Sequence, residues 1–138
     1  MDKDFVGKVK SVIGQVVQIE CVTENLPPIY EILTASEDPL VRLEVQSYAS
    51  NTIHCLSLTD VSKIYRNMSI YTTNSSLTIP VGSKTLGRVM NLFGDDQDGK
   101  GQITTTIRMP IYDKAPTFNT LKPSAQILET GIKVVDFV

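Results

Sequence analysis

This sequence contains few of the residues on which nucleic-acid binding, metal binding and histidine catalysis depend. In 138 residues there is no tryptophan, one histidine and two cysteines, and aromatic residues make up 7%. Lysine and arginine number 13 against 15 aspartate and glutamate, which leaves a net charge of -2. Proteins that bind nucleic acid carry a surplus of basic side chains for the phosphates, and often aromatic side chains for the bases. The composition therefore argues against a nucleic-acid partner.

Long hydrophobic stretches and a targeting segment are also missing. No stretch approaches the roughly 20 apolar residues of a membrane span, so no direct membrane insertion is expected. The chain opens on the acidic Met1-Asp2-Lys3-Asp4, without the apolar run of a secretory signal. Cys21 and Cys55 fit no metal-binding spacing. One disulfide is formally possible, but two buried thiols in a reducing compartment are favoured, which predicts a cytoplasmic or organellar protein.

The residues that are abundant favour β-structure. Valine, isoleucine and threonine make up about 30% of the chain, and such β-branched side chains suit a pleated strand. In residues 40–47, apolar residues alternate with Arg42, Glu44 and Gln46, which predicts a strand with one polar face. The other predicted strands are the long run 5–21, bent at Gly7 and Gly14, and the segments 29–33, 52–58, 68–73 and 77–81. Five or six short strands predict a small closed barrel or a sandwich.

The pattern changes after Gly82. Four apolar residues follow helical spacing, with Ser83 as a plausible N-cap and Gly94 beyond the C-terminus: Leu86, Val89, Met90 and Phe93. A polar loop, an extended connector with three prolines (residues 109–123) and the start of another element (residues 127–138) would follow. The last residues form an apolar run without a cap or turn, which is expected of a chain cut from a larger protein.

The loop from Gly94 to Gly101 has the glycine and lysine spacing of a phosphate-binding P-loop, but Gly101 stands where serine or threonine must bind magnesium. The loop also follows a predicted helix, and its three aspartates would repel phosphate. As a calcium loop it lacks both essential carboxylates, because Gly94 and Thr105 occupy those positions. A solvated turn is therefore predicted.

The remaining candidates are isolated side chains. His54 lies on the face of a predicted strand with Leu56 and Leu58, without a nucleophile or metal ligand nearby in sequence, so a partly buried structural role is favoured. Aspartates and glutamates at 37–38 and 95–96 fall in turns. The basic and aromatic group around Tyr65, with Lys63 and Arg66, is predicted to be an ordinary surface turn. The sequence thus predicts no catalytic, cofactor-binding or metal-binding residue.

Blocks along the whole chain resemble the beginning of the beta subunit of F-type ATP synthases, in family order. Two of them, Leu26-Pro27-Pro28-Ile29 and Ile127-Leu128-Glu129-Thr130-Gly131-Ile132-Lys133, are similar to the catalytic beta type rather than the alpha type. The other similar blocks are residues 7–9, 14–17, 43–45, 51–53, 79–82, 85–94, 98–101, 109–111 and 115–118. Asp95-Asp96-Gln97 and Met109 depart from the usual pattern, which indicates a divergent member.

The resemblance implies a mainly β chain: a six-stranded closed N-terminal barrel at residues 1–81, then the α/β start of a P-loop nucleotide-binding domain at residues 82–138. The family's P-loop and catalytic residues lie beyond the position that matches Val138, so no site residue carries over. The implied partners are alpha-type subunits in an alternating hexamer, and a central stalk and membrane sector for the full-length protein. The implied location is peripheral, on the cytoplasmic or organellar-matrix side of an energy-coupling membrane.

The function implied for this segment is assembly of the hexamer ring. ATP or ADP with Mg²⁺, and proton-coupled ATP synthesis or hydrolysis, are implied only for the full-length protein, and this segment alone is expected to catalyse nothing. Two alternatives stay open: a free-standing barrel that acts as an adaptor or nucleic-acid-binding module, and a relative of the rotary ATPases adapted to another machine.

Overall fold

The computed structural model describes residues 4–22, 25–105, 107–120 and 127–137. Six antiparallel strands close into one barrel in the order β1-β2-β5-β4-β3-β6, as predicted. The strands are β1 (Phe5–Ile13), β2 (Val16–Cys21), β3 (Glu31–Ala35), β4 (Arg42–Ala49), β5 (Thr52–Ser57) and β6 (Ser69–Ser76). Closure pairs β1 with β6, so every barrel strand has a neighbour on both sides.

The run from Phe5 to Cys21 forms a hairpin rather than the one bent strand that was predicted. Val12 pairs with Val17 and Ile13 with Val16, so the chain reverses at Gly14. Gly14 has a φ of +60°, a left-handed conformation that glycine adopts without the steric cost of a Cβ. The turn was missed because alternation of apolar residues continues on both sides of it.

The barrel interior contains the alternate, apolar side chains of all six strands. The largest fully buried ones are Val9, Val17, Ile19, Leu33, Val41, Leu43, Val45, Ile53, Cys55 and Ile70. Cys21 and Cys55 are both buried in this core as thiols, as predicted. Burial raises the pKa of the Cys55 thiol to about 12, because the thiolate would have no water around it.

The segment predicted as a last barrel strand lies outside the barrel. Thr78–Pro80 forms β7 and pairs with β8 (Arg108–Pro110) as a separate two-stranded antiparallel sheet. Proline can occupy both strands because a two-stranded sheet leaves each strand with one edge that needs no ladder donor. This small sheet fixes the chain that follows the barrel.

The helix predicted between Ser83 and Gly94 is wrong. Only Ser83–Thr85 forms a single 3₁₀ turn, and Gly82 rather than Ser83 precedes it as the cap. Gly87, in the middle of the predicted helix, has a φ of +68°, which no α-helix accommodates. Leu86 and Val89 remain 79% and 60% exposed, so the predicted apolar face has no surface to pack against. Amphipathic spacing alone does not stabilise a short helix when its apolar side stays in water.

The rest of the chain is mostly irregular. A 3₁₀ turn (Phe118–Thr120) and one turn of helix, α1 (Lys133–Asp136), are its only helical pieces among the described residues. Residues 121–126 of the predicted connector lie outside the described residues. Within the described parts of the chain, no helix has the length and apolar character that a membrane crossing requires.

Candidate interaction surface

The outer surface of the barrel is divided into a covered face and an open face. Residues on the outer side of β3 and β4 are buried although they point away from the core: Ile32 is 7%, Thr34 4% and Glu44 3% exposed. Leu77 and Ile103, from the chain after the barrel, are also buried outside the core. The segment that follows the barrel therefore lies over β3 and β4, and we call this region the covered face.

One fastening of the covered face is centred on Glu44, which was predicted to lie on a polar, outward face. The Tyr112 hydroxyl donates a hydrogen bond of 3.1 Å to Glu44 Oε2, and Gln46 Nε2 donates one of 2.6 Å to the same oxygen. The Tyr112 ring stacks on Tyr30, with 4.1 Å between the ring centroids and 19° between the planes. Burial and the bond to the Glu44 carboxylate both raise the pKa of Tyr112. Glu44 and Tyr112 are 68 positions apart in the chain, so the alternation of residues along β4 could not predict their contact.

A second fastening uses the outward side chain of Arg42. Its guanidinium carbon lies 4.1 Å from the centroid of the Phe93 ring, a cation–π distance. Arg108 holds the other side of this region, since its Nη2 donates to the carbonyls of Thr78, at 2.7 Å, and of Phe93, at 3.0 Å. Phe93, predicted to belong to a helix face, is thus held by two arginines.

The loop from Gly94 to Gly101 is a set of turns built around Asp98. The Asp98 carboxylate accepts bonds of 2.7 and 3.0 Å from the Arg88 guanidinium, and further bonds from the backbone N–H groups of Val89 and Lys100. The hydrogen bonds from Arg88 are the main reason that the pKa of Asp98 lies well below its ordinary value. The backbone N–H groups thus donate to the Asp98 carboxylate, whereas the backbone N–H groups of a P-loop would donate to a phosphate. The loop is therefore a turn, as predicted.

The isolated candidates from the sequence do not come together. His54 is half-buried on the outer side of β5, on the same face as Leu56, as predicted. The Tyr65 hydroxyl donates to Glu37 and Lys63 pairs with Asp38 at 3.6 Å, so these groups belong to a surface turn of mixed charge. Among the described residues, no three histidine, cysteine, aspartate or glutamate side chains are grouped so that they could bind a metal ion.

A buried carboxylate at one end of the barrel was missed by the sequence analysis. Glu31 is 3% exposed and accepts hydrogen bonds from the Thr72 hydroxyl and from the backbone N–H of Asn74, the latter at 2.8 Å. Asn74 itself has a φ of +53°, a left-handed conformation. Burial raises the pKa of Glu31, although hydrogen bonds from the backbone of Asn74 and of Thr73 oppose the shift. The group joins β3 to the bend in β6 and, with Thr72 and Asn74, lines a surface cavity of about 640 Å³.

The open face is formed by the outer sides of β1, β2 and β5. Val16 is 41% exposed, and its strand neighbour Leu56 is half-buried beside it. Gln18 and His54 are the next directly paired residues along the same two strands. Charged side chains lie further along this face, where Lys8 of β1 pairs with Glu20 of β2. Around Val16 and Leu56, apolar and uncharged polar side chains in register on adjacent strands can bind another protein surface with little desolvation of charge.

Residues 9–74 match the family model described as ATP synthase alpha/beta family, beta-barrel domain. The matched range includes four complete strands and most of both strands at which the barrel closes. Over these residues the barrel is therefore similar to the β-barrel domain of the ATP synthase alpha/beta family. The match supports the resemblance at the level of the alpha/beta family. The divided surface thus lies on the matched barrel, and its covered face carries chain outside the matched range.

The fastening at Glu44 can be tested by replacing Tyr112. Tyr112→Ala is expected to speed backbone amide exchange in residues 107–113 about tenfold, because a charge-assisted hydrogen bond and an aromatic stack together contribute about 1–3 kcal/mol. Hydrogen exchange followed by mass spectrometry measures this. Tyr65→Ala, which removes an exposed tyrosine bonded to a different glutamate, is the control. Equal exchange in the two variants would contradict the fastening.

Proposed function

We propose that this chain serves subunit assembly in a rotary ATPase, as the N-terminal portion of a divergent beta-type subunit. The observation that carries the proposal is the match of the barrel to the ATP synthase alpha/beta family over residues 9–74. The assembly formed would be a ring in which beta-type and alpha-type subunits alternate. The Leu26-Pro27-Pro28-Ile29 block and the block at residues 127–133 support the beta type.

The division of the barrel surface supports the same function and indicates which side makes the contact. The covered face is occupied by the chain's own residues, with Glu44 and Thr34 buried beneath them. The open face presents Val16 and Leu56 in register on adjacent strands. A neighbouring barrel can therefore pack against β1, β2 and β5 without displacing any part of the chain that the structure describes.

ATP chemistry is proposed for the full-length protein and not for these residues. The sequence contains no complete P-loop motif, because Gly101 replaces the serine or threonine that binds magnesium. We propose that residues 82–138 begin the nucleotide-binding domain, and that ATP or ADP, Mg²⁺, the central stalk and the membrane sector are engaged elsewhere in the full-length subunit. Attachment to an energy-coupling membrane would then be peripheral, through the other subunits.

The assembly function is tested by a charge placed on the open face. Leu56→Glu is expected to weaken association with an alpha-type subunit about tenfold or more, because the new carboxylate must lose its water when the surfaces meet. The measurement is native mass spectrometry or sedimentation of the chain mixed with a purified alpha-type subunit.

Leu40→Glu is the matched control, since Leu40 is 64% exposed in the turn before β4 and lies off the open face. Circular dichroism of both variants establishes that the barrel is folded. If Leu56→Glu and Leu40→Glu associate equally well with the alpha-type subunit, the open face does not make the contact. If the unsubstituted chain does not associate at all, the proposed function itself is wrong.

A further inference from the structure

A cavity of about 260 Å³ lies between the covered face of the barrel and the small sheet of β7 and β8. Arg42, on β4 of the barrel, and Arg108, on β8 of the small sheet, both line this cavity. Hydroxyl-bearing residues of β3, β6 and β7 line the rest together with a few apolar side chains, and the hydroxyl-bearing residues are Thr34, Thr73, Ser75, Ser76 and Thr78. No aspartate or glutamate is among the described residues that line it.

The two guanidinium charges in this cavity are not neutralised by ion pairs. Within the described part of the chain, the ion pairs are Lys63 with Asp38 and Arg88 with Asp98, and neither involves Arg42 or Arg108. Arg42 also borders a neighbouring cavity with Asp60 and Asp95. Those carboxylates accept hydrogen bonds from Ser62 and Asn91, respectively. Two positive charges in a partly enclosed space repel each other, and an anion that binds between them offsets this repulsion.

Both arginines keep donors for such an anion. Arg42 places the face of its guanidinium on Phe93, and stacking leaves the N–H groups at the edge of the plane available. Arg108 uses Nε and Nη2 for Thr78 and Phe93, and no described residue accepts a bond from its Nη1. Guanidinium groups bind tetrahedral oxyanions through paired N–H donors. The Thr34 and Thr73 hydroxyls already donate to the carbonyls of Ala35 and Ile32, so Ser76 and Thr78 are the residues whose hydroxyls can supply additional single donors.

We infer that this cavity is a binding site for a phosphate group, held by Arg42 and Arg108 with hydroxyls of β6 and β7. The inference goes beyond ring assembly, because it concerns a small ligand at the joint between the barrel and the chain that follows. Bound there, a dianion joins β4 to β8 and stabilises the covered face. The shared chemistry is that of free inorganic phosphate and of a phosphate monoester.

The site differs from a nucleotide site that depends on magnesium. Mg²⁺ needs carboxylate or other oxygen ligands beside the phosphate, and the described lining supplies two cations and no carboxylate. A phosphate already bound to Mg²⁺ has less negative charge for the arginines to attract. Added magnesium is therefore expected to weaken phosphate binding rather than strengthen it.

The experiment is an NMR titration of the full chain with inorganic phosphate, with sodium chloride at matched ionic strength as the reference. Phosphate is expected to shift the amide signals of residues 73–78 and of Arg42 in a saturable manner, and chloride is not. Arg42→Gln is expected to weaken phosphate binding about tenfold or more, because it removes charge-assisted bonds. Arg66→Gln, an arginine that lines a different groove, is the matched control and should bind phosphate like the unsubstituted chain.

Every outcome of the titration is informative. If chloride gives the same shifts as phosphate, or if Arg42→Gln and Arg66→Gln bind phosphate equally, the site is wrong. If Arg42→Gln unfolds, Arg42→Lys provides the test, since it retains the charge but loses the paired donors and should still weaken binding.

Tighter binding of phenyl phosphate supports the site with a monoester as ligand, whereas tighter binding of inorganic phosphate supports it with the free ion. ATP binding that requires Mg²⁺ would overturn the phosphate site, and it would also contradict the assignment of nucleotide binding to the rest of the subunit. Absence of phosphate binding alone would overturn the phosphate site but leave the proposal of ring assembly unaffected.

Discussion

Replacing Leu33 by alanine is expected to lower the free energy of unfolding of the barrel by about 2–5 kcal/mol. Leu33 is fully buried in the core and lies on β3 between its paired residues Leu43 of β4 and Thr72 of β6. Its removal leaves a cavity that three hydrogen-bonded strands cannot close without breaking their ladders. Small barrels have a limited core, so such a loss is a large share of the 5–15 kcal/mol that is typical of a domain.

Urea denaturation followed by circular dichroism measures this change as a lower midpoint at an unchanged slope. The matched control is Leu40→Ala, which deletes the same atoms from a side chain that is 64% exposed and should change stability by less than about 0.5 kcal/mol. A Leu33→Ala loss no larger than that of the control would mean that β3 is not packed as described.

The second large effect is expected for Gly7→Ala, which should lower the free energy of unfolding by about 1–3 kcal/mol or more. Gly7 lies in β1 opposite Cys21, where a Cβ would collide with the backbone carbonyl of Glu20 and crowd the Cα of Cys21. The clash is with backbone atoms of β2, so no side-chain rotation relieves it. Because β1 is held between β2 and β6, the strand cannot move aside without opening the barrel.

Gly14→Ala is the comparison that separates this clash from the ordinary cost of replacing glycine. A Cβ on Gly14 meets nothing within 4 Å, and the only penalty is its φ of +60°, about 1–2 kcal/mol. Thermal unfolding of both variants should therefore show a lower melting temperature for Gly7→Ala. The close approach of β1 and β2 would be disproved if the Gly7→Ala variant were the more stable of the two.

The barrel was predictable because its strands follow a simple period. Residues 40–47 and 52–58 alternate, and both form strands close to the predicted bounds. What was not predictable depends on contacts between distant residues. The buried Glu44 needs Tyr112 above it, and nothing in the polar side of β4 indicates that a later segment covers it. Glu31 likewise looks like an ordinary polar residue in the sequence, and nothing near it predicts the hydrogen bond that its carboxylate accepts from the backbone N–H of Asn74.

The failed helix shows the limit of a periodic pattern in another way. Leu86, Val89 and Phe93 have the spacing of a helix face, but Gly87 lies in a left-handed conformation and the chain instead folds into turns around Asp98. The same apolar residues then have individual roles, such as the contact of Phe93 with Arg42. The cavity lined by Arg42 and Arg108 could not be predicted from the sequence, because these residues are 66 positions apart and share no motif.

The pairing of β1 with β6 has a consequence for the order in which the barrel folds. Phe5 pairs with Tyr71 and Gly7 with Ile70, so the first strand finds its second partner only after the last strand has been made. The β1–β2 and β4–β5 hairpins can form early because their loops are short, whereas β1 and β6 must close a loop of more than 60 residues. A nascent chain shorter than about 76 residues therefore leaves the outer edge of β1 without its partner. During synthesis this edge, like the edge of β3 that also pairs with β6, is exposed to pairing with another chain.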